Sequence, residues 1–453
     1  MKPVSSAPET WAIVGGGMLG MTMALRLAQA GQRVTLFEGA AQMGGLASAW
    51  QLGNVVWDRH YHVTLLSDTA LRGLLAELEL EKQIQWVETK TGFYTDGKLY
   101  SMSNSVEFLQ FPPLGLVDKF RLGLTILHAS NIKSPAALED IPVETWLRRW
   151  SGDRTTEKIW LPLLRAKLGE NYKKASAAFL WAIIARMYAA RRSGLKKEMF
   201  GYVPGGYARI LEALQRKLEA AGVEIVLDSR AARVESKNTG AIQISLTNGK
   251  QAGFDQVVLT MPSSLAAELC PELRAEECRK LRGVEYQGIV CASLLLKKPL
   301  AEYYVTNITD EGIPFTAVIE MSAMVDRRQF GGNSLVYLPK YVVPDDPMFE
   351  LKDDSLQRHF VAALSTMYPQ FEEEDILAFK VSRVRQVFAI PTLHYSQNLP
   401  SMFTSVPGIQ IVNSSHIVNG TLNVNETVQL AERAVPQMLA RSPKVRRAEY
   451  ATV

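Results

Sequence analysis

The chain has 453 residues, 47% of them hydrophobic and 21% charged, with a net charge of +4. That balance excludes a disordered polypeptide, and without a basic block or an aromatic-basic motif it offers no footing for a nucleic-acid partner. Three cysteines, Cys270, Cys278 and Cys291, form neither a disulfide framework nor a metal-ligand spacing, so a reducing, cytoplasmic setting is expected.

A chain of this length buries a large core and is expected to hold two domains. Its N-terminus lacks a basic region followed by an apolar run, so no signal peptide is expected. Residues 11–14 form a short apolar strand that runs into Gly15-x-Gly17-x-x-Gly20. A helix is expected over 21–29, stopped by Gly31, and a second apolar strand over 34–37 ends on Glu38. Gly15 permits the tight turn out of the strand. Gly17 lets the backbone approach a pyrophosphate without a Cβ clash, and Gly20 lets helix and strand pack closely. The helix N-terminus aims its free N–H groups and its dipole at the phosphates. A carboxylate about 20 residues on, here Glu38, is placed to accept hydrogen bonds from an adenosine ribose.

A different texture follows. Residues 71–81 read as a helix, and 93–100 as a hairpin around Asp96-Gly97. Residues 105–190 are expected to be mostly helical. The apolar stretch 106–128 reads first as a core helix pair; its alternative is a membrane-dipping entrance to an apolar pocket. The longest apolar helix, 175–190, is interrupted by Arg186 and is too short to span a bilayer. From 203 the pattern changes back, with a turn, an amphipathic helix over 207–221 carrying Ile210, Leu211, Leu214 and Leu218 on one face, and a strand over 223–227. A β-meander over 230–247 and an apolar strand over 254–260 come next, the latter reading as buried on both faces. Strand candidates then occupy 289–296, 315–320, 334–338 and 379–388, interrupted by a helix at 355–368. Within them 337–341, rich in tyrosine, reads as an edge strand sooner than as a pocket lining. A strand at 408–412 and a helix at 425–438 close the chain.

Only one dinucleotide fingerprint is present, so a resident flavin is expected rather than a passing nicotinamide. Met43-Gly44-Gly45-Leu46-Ala47 follows Glu38, and a paired glycine there lets a second loop close over the pyrophosphate. With the block from Val203 to Leu211, the run from Gly222 to Val226 and the run from Asp255 to Pro262, this arrangement resembles the flavin-containing amine oxidase superfamily, which includes protoporphyrinogen oxidase, phytoene desaturases, monoamine oxidase and UDP-galactopyranose mutase. The resemblance implies an α/β fold: a Rossmann-like, glutathione-reductase-like FAD-binding domain interleaved with an α+β substrate domain. The first would take residues 8–66, 203–283 and 400–440, the second 67–202 and 284–399. It implies FAD held by Gly15, Gly17 and Gly20 at the pyrophosphate and by Glu38 at the ribose. Gly44, Gly45 and Leu46 would line the ribityl side, and the backbone of Ala231 would meet the adenine.

Asp58-Arg59-His60-Tyr61-His62 matches the family's run beside the isoalloxazine, with His60 in place of a glycine. His60 and His62 become catalytic candidates there, and Arg59 a cofactor contact. At the C-terminal end Asn413 and Ser414 stand where the family has a glycine followed by an acid, and could bond a phosphate or a ribityl hydroxyl. Asn425, Glu426 and Thr427 open a helix whose N–H groups could stabilise reduced flavin. His394 and Tyr395 resemble the segment that reaches the flavin from the substrate domain. No metal site is expected, since the histidines lack zinc spacing.

The function so implied is an FAD-dependent oxidase or desaturase that moves hydride from a small hydrophobic substrate to the flavin and passes electrons to oxygen or a quinone. Such an enzyme would be cytoplasmic, or peripheral at the inner face of the membrane through 106–128. The alternative is a redox-neutral mutase of UDP-sugars. That reaction needs an arginine pair for the diphosphate, and Arg327 with Arg328, or Arg383 with Arg385, could supply it. A non-catalytic FAD-binding protein is the third reading.

Overall fold

The computed structural model describes residues 8–192, 199–418 and 420–441. Five parallel strands form the first sheet, in the order Glu224–Val226, Arg33–Phe37, Thr10–Val14, Gln256–Leu259, Ile409–Ile411. Successive side chains of a strand point to opposite faces, and both faces here are covered. Trp11, Ile13, Val34, Leu36 and Val258 join one core, with the helices Met18–Gln29, Gly206–Ala220 and Val424–Arg441. Ala12, Val14, Phe37, Val257 and Leu259 join another, under the antiparallel meander Ala231–Ser236, Ile242–Leu246, Gln251–Phe254. Double coverage explains the unbroken apolar runs of these strands.

The second sheet has seven strands, in the order Ile376–Ala389, Tyr286–Leu296, Ser334–Val342, Ala317–Glu320, Val305–Ile308, Thr91–Thr95, Lys98–Ser101. Only Val305–Ile308 and Thr91–Thr95 run parallel within it. The hairpin expected at 93–100 is its edge, turning through Asp96 and Gly97 at φ +53° and +69°. Ser334–Val342 is not the edge strand that its sequence suggested. It lies between two neighbours, with Tyr337 fully buried and Tyr341 nearly so. Tyrosine suits a strand interior wherever its hydroxyl finds a partner, and a strand's place in a sheet is set by long-range pairing that a local pattern does not carry.

The helix Asp353–Met367 covers one face of this sheet. The other face, with Ile289, Leu335, Tyr337, Tyr341 and Phe388, packs on the helices Leu161–Leu168 and Ala177–Arg192 and on the two-stranded hairpin Ala49–Leu52, Val55–Asp58. That hairpin joins the two halves of the fold, because it follows directly on the glycine-rich loops of the first sheet. Three short strands, Thr64–Leu65, Met199–Tyr202 and Gln85–Glu88, form a further small sheet. Their brevity left no alternation to read.

The stretch 106–128 is only in part a core helix pair. Phe111, Leu114 and Leu122 do pack with Phe93 and Ile159. Along the helix Leu116–Asn131, however, Leu116, Val117 and Phe120 are 77%, 71% and 68% exposed. Two apolar faces cannot both meet one small core.

Asn425 was a candidate cofactor contact, but its side chain is engaged elsewhere. From the last helix its Oδ1 accepts the backbone N–H groups of Ala70 and Leu71, both at 3.1 Å, at the start of the helix Thr69–Glu77. These are first-turn donors with no intrahelical acceptor, so Asn425 acts as a cap supplied from a distant helix. Replacing it with Ala should lower folding stability by about 1–2 kcal/mol and leave any bound flavin in place. Urea denaturation with flavin quantification checks this, and loss of flavin with unchanged stability would contradict it.

Candidate functional site

The glycine turn is shaped by close approach. Gly15 sits at φ +115°, donates its N–H to the Phe37 carbonyl at 2.8 Å, and would drive a Cβ to 2.3 Å from Thr260 Oγ1. A Cβ on Gly20 would fall 1.9 Å from the Gly15 carbonyl oxygen. Gly17 differs: a Cβ there would meet no protein atom within 4 Å. Its smallness serves no internal packing, which suits a ligand-facing position. The helix begins at Met18, three residues before the expected start, so its first N–H groups lie directly at this turn.

The second glycine loop closes onto the first. Gly44 N–H donates to the Gly16 carbonyl at 2.8 Å, and a Cβ on Gly45 would lie 3.2 Å from Gly17 Cα. Both residues are left-handed, at φ +119° and +56°. Leu46 follows in the turn Gly45–Ala47. Glu38 stands at the mouth, accepting the Gly16 N–H at 2.6 Å and the Ala40 N–H at 2.8 Å. Its backbone carbonyl accepts from Ser229 at 2.8 Å, and Arg230 packs beside Gly39, which places Ala231 near the same end of the sheet.

The segment 58–62 is anchored at its start. Buried Asp58 accepts the Tyr207 N–H at 2.7 Å through Oδ1, and its carbonyl accepts the Tyr337 hydroxyl. Arg59 donates its N–H to Ser48 at 2.9 Å and lies over the Trp50 ring at 5.5 Å, with its buried Nε unpartnered. His60 is buried, with Nδ1 3.1 Å from the Leu46 carbonyl. A carbonyl only accepts, so Nδ1 carries the proton and Nε2 keeps a lone pair. That Nε2 is buried without a partner, and burial pushes the imidazole pKa down to about 4. His60 is therefore a neutral acceptor at physiological pH. His62 packs against the Tyr207 ring, centroids 4.7 Å apart, with Nδ1 3.8 Å from Asp58 Oδ2 and so beyond hydrogen-bond reach.

Three other expectations change. Asn413 is buried and its carboxamide is fully occupied: Oδ1 accepts from Ser415 N and Oγ at 3.0 and 2.7 Å, and Nδ2 donates to the Met261 carbonyl at 2.9 Å. Its side chain caps the turn Ser414–His416 and is not free for a cofactor, while half-buried Ser414 keeps that option. His394 is half-exposed, at φ +55°, and its imidazole is taken up by a surface pair with Asp140 at 2.9 Å. Tyr395 is buried and donates its hydroxyl to the Ser415 carbonyl at 2.7 Å, a positioning bond for the same turn. Polar loop residues look alike in sequence whether they cap a turn or face a ligand. Glu426 and Thr427 do open the last helix; Glu426 is half-buried, and burial raises its carboxyl pKa against the pull of Arg186 and Arg433.

Sequence reading missed several neighbours. Tyr61 and Tyr341 meet hydroxyl to hydroxyl at 2.9 Å. Arg186 bridges to buried Asp68 at 3.0 Å; its signal was visible as the charge interrupting an apolar helix. Tyr207 offered only its place after Gly205-Gly206. The arginines proposed for a diphosphate are engaged: Arg327 with the Asn333 and Lys297 carbonyls, Arg328 with Asp326, Arg383 with Asp353, and Arg385 with Glu350. Among the described residues no group of three or more His, Cys, Asp or Glu could hold a metal ion, and no helix is long and apolar enough to cross a membrane.

A family model described as flavin containing amine oxidoreductase matches residues 19–438. The chain is 21% identical to the 15-cis-phytoene desaturase, chloroplastic/chromoplastic, of Solanum lycopersicum, over 90% of this chain and 71% of that one. It is 25% identical to the coproporphyrinogen III oxidase of Mycobacterium tuberculosis, over 58% of this chain and 61% of that one. The corresponding desaturase of Capsicum annuum is matched over only 49% of its length. Among solved structures, a candidate protoporphyrinogen oxidase from Exiguobacterium superposes with TM-score 0.76 at 18% identity, covering 96% of this chain and 99% of that one. A reduced UDP-galactopyranose mutase superposes with TM-score 0.72 at 14% identity, covering 98% and 97%.

Two buried histidines make the fold acid-sensitive. His60 and His416 both have folded pKa values lowered to about 4 from 6.5 by burial. Each favours the folded state fully above pH 6.5, and that contribution is lost as the pH falls through 4. Urea midpoints should therefore drop steadily from pH 6.5 to 4, and His60→Gln should flatten part of the slope. A flat wild-type profile in that window would contradict this.

Proposed function

The chain belongs to the flavin-containing amine oxidoreductase family, and from that premise we propose that it binds FAD and oxidises a small hydrophobic substrate. The observation that supports this best is the pair of glycine loops, which meet backbone to backbone while Gly17 faces no protein atom within 4 Å. In this reading Gly15, Gly17 and Gly20 hold the pyrophosphate, Glu38 the adenosine ribose, and the backbone of Ala231 the adenine edge. Gly44, Gly45, Leu46, Arg59 and Ser414 line the ribityl and flavin side; at the last helix the N–H groups of Glu426 and Thr427 are taken by Asn423, at 3.0 and 3.1 Å, and do not serve the cofactor. Bound flavin supplies a two-electron acceptor at N5, and oxygen or a quinone would reoxidise it.

The chain's own residues bind, orient and exclude water. His60 offers the Nε2 lone pair from a buried, neutral ring, so it accepts a hydrogen bond and does not act as an acid near neutrality. The Leu46 carbonyl fixes its tautomer. Tyr61 and Tyr341 close the side towards the large sheet, and Asp58 holds the segment through Tyr207. The relatives, a phytoene desaturase and porphyrinogen oxidases, agree with an apolar or flat substrate. A UDP-sugar mutase is the weaker reading, because Arg327, Arg328, Arg383 and Arg385, the arginines proposed for a diphosphate, already have partners in the protein.

The exposed apolar face at 106–127 supports peripheral membrane contact as a route for such a substrate. Val106, Leu109, Leu116, Val117, Phe120, Leu124 and Leu127 are seven of the twelve large hydrophobic residues most exposed on the described chain. Spacing of 116, 117, 120, 124 and 127 sets five of them along one side of a helix.

Two outcomes are expected. Purified protein should be yellow and bleach anaerobically with one class of hydrophobic substrate, and Gly17→Val should keep its circular dichroism but lose most of its flavin. A colourless wild type that takes up no FAD would refute the reading. Leu116→Ser with Phe120→Ser should reduce co-sedimentation with phosphatidylcholine/phosphatidylglycerol vesicles by at least about tenfold, from about 1.5–3 kcal/mol for each large side chain withdrawn from lipid. Unchanged sedimentation would remove the membrane proposal alone.

A further inference from the structure

The lysines around residue 167 are not equivalent. Lys173 bridges to Glu170 at 2.6 Å, and Lys174 to Glu285 at 2.7 Å. Half-buried Lys167 has no carboxylate partner among the described residues. Its Nζ lies instead 3.7 Å from the centre of the Tyr341 ring and 5.4 Å from that of Phe388. The two rings meet edge to face with centroids 6.0 Å apart. An aromatic cage occupies one side of an ammonium group and leaves N–H donors for an acceptor on the other.

A second donor without a partner lies close by. Gln287 is fully buried and pairs with Phe388 across the strands. Its Oε1 accepts from Asn171 at 3.3 Å, but its Nε2 has no partner. Gly169, two residues beyond Lys167, would bring a Cβ within 4.0 Å of that Nε2. An unpaired buried amide N–H is costly to the fold, so one on the strand partner of Phe388, whose ring the Lys167 ammonium approaches, points to an acceptor from outside. Tyr341 also connects this cage to the flavin-side segment through the hydroxyl of Tyr61, which adjoins His60. Lys167, Gln287, Tyr61 and Tyr341 all carry hydrogen-bond donors.

We propose that Lys167 and Gln287 bind the carboxylate of an amphipathic substrate whose apolar body lies along Tyr341 and Phe388 towards His60. Lys167 is then a specificity-determining residue. The assignment rests on the oxidoreductase reading only for the direction in which the substrate points; binding of the acid group can be measured without it.

The test is calorimetric titration of the purified protein, whatever its flavin content, with decanoate and separately with decanol. Decanoate should bind at least about tenfold more tightly than decanol, a difference of the size expected from a charge-assisted contact. Lys167→Met should abolish that difference while leaving decanol affinity unchanged, and Lys167→Arg should preserve it. No binding of decanoate, equal affinities in the wild type, or a preference that survives Lys167→Met would each overturn the proposal. Tight decanoate binding to a colourless protein would uphold the subsite and refute only the flavin reading.

Discussion

The whole arrangement depends on one contact between main chains. Gly44 N–H reaches the Gly16 carbonyl at 2.8 Å, and Gly45 comes within a Cβ's length of Gly17. A side chain on Gly45 would press on Gly17, with its Cβ 3.2 Å from the Gly17 Cα, and one on Gly44 would strike Leu211 and Ser48. Their closure sets where the chain leaves the first sheet, and so where the hairpin Ala49–Leu52, Val55–Asp58 begins. It also fixes Leu46, whose carbonyl holds the imidazole of His60. Glycine is favoured twice over, since Gly44 and Gly45 are also left-handed.

From that contact two buried carboxylates carry the order into the second half of the fold. The Asp58 carboxylate binds the start of the helix Gly206–Ala220 through Tyr207 N–H, while its backbone carbonyl accepts the Tyr337 hydroxyl from the large sheet. Asp68 takes Arg186 from the helix Ala177–Arg192 and the Leu65 N–H at 2.9 Å. Buried charges are costly unless paired and hydrogen-bonded. Asp68 is both paired and hydrogen-bonded once the helix Ala177–Arg192 is docked, and Asp58 gains its hydrogen bond from Tyr207 N–H only when the helix Gly206–Ala220 is docked, so each favours one relative placement of elements over its alternatives. The site inherits its rigidity from this. His60 and Tyr61 sit between the anchored Asp58 and the ring contact of His62 with Tyr207.

Much of the fold was legible because physical period and sequence period coincide. The strands Thr10–Val14, Arg33–Phe37 and Gln256–Leu259, the meander and the long helices follow from apolar spacing and from glycine at turns. The glycine half of the site was legible too, since Gly15, Gly17, Gly20, Gly44 and Gly45 act through the backbone and through what they lack. Polar candidates fared differently. Asn413 and Asn425 both satisfy backbone N–H groups inside the protein, and His394 pairs at the surface with Asp140. A hydrogen-bonding side chain shows its chemistry in the sequence but not its partner.

By itself the sequence determined the nucleotide-type βαβ start, the paired glycine loops and the family resemblance, because each rests on local spacing and on the absence of a Cβ. Tertiary structure alone decided the rest. It turned Tyr337 and Tyr341 from an expected edge into the interior of a sheet, and it left the face from Leu116 to Leu127 uncovered. It also brought Lys167, Tyr341, Phe388 and Gln287 together from four distant parts of the chain. These are contacts between segments far apart in sequence, and their partners follow from strand order and helix docking, which no local pattern encodes.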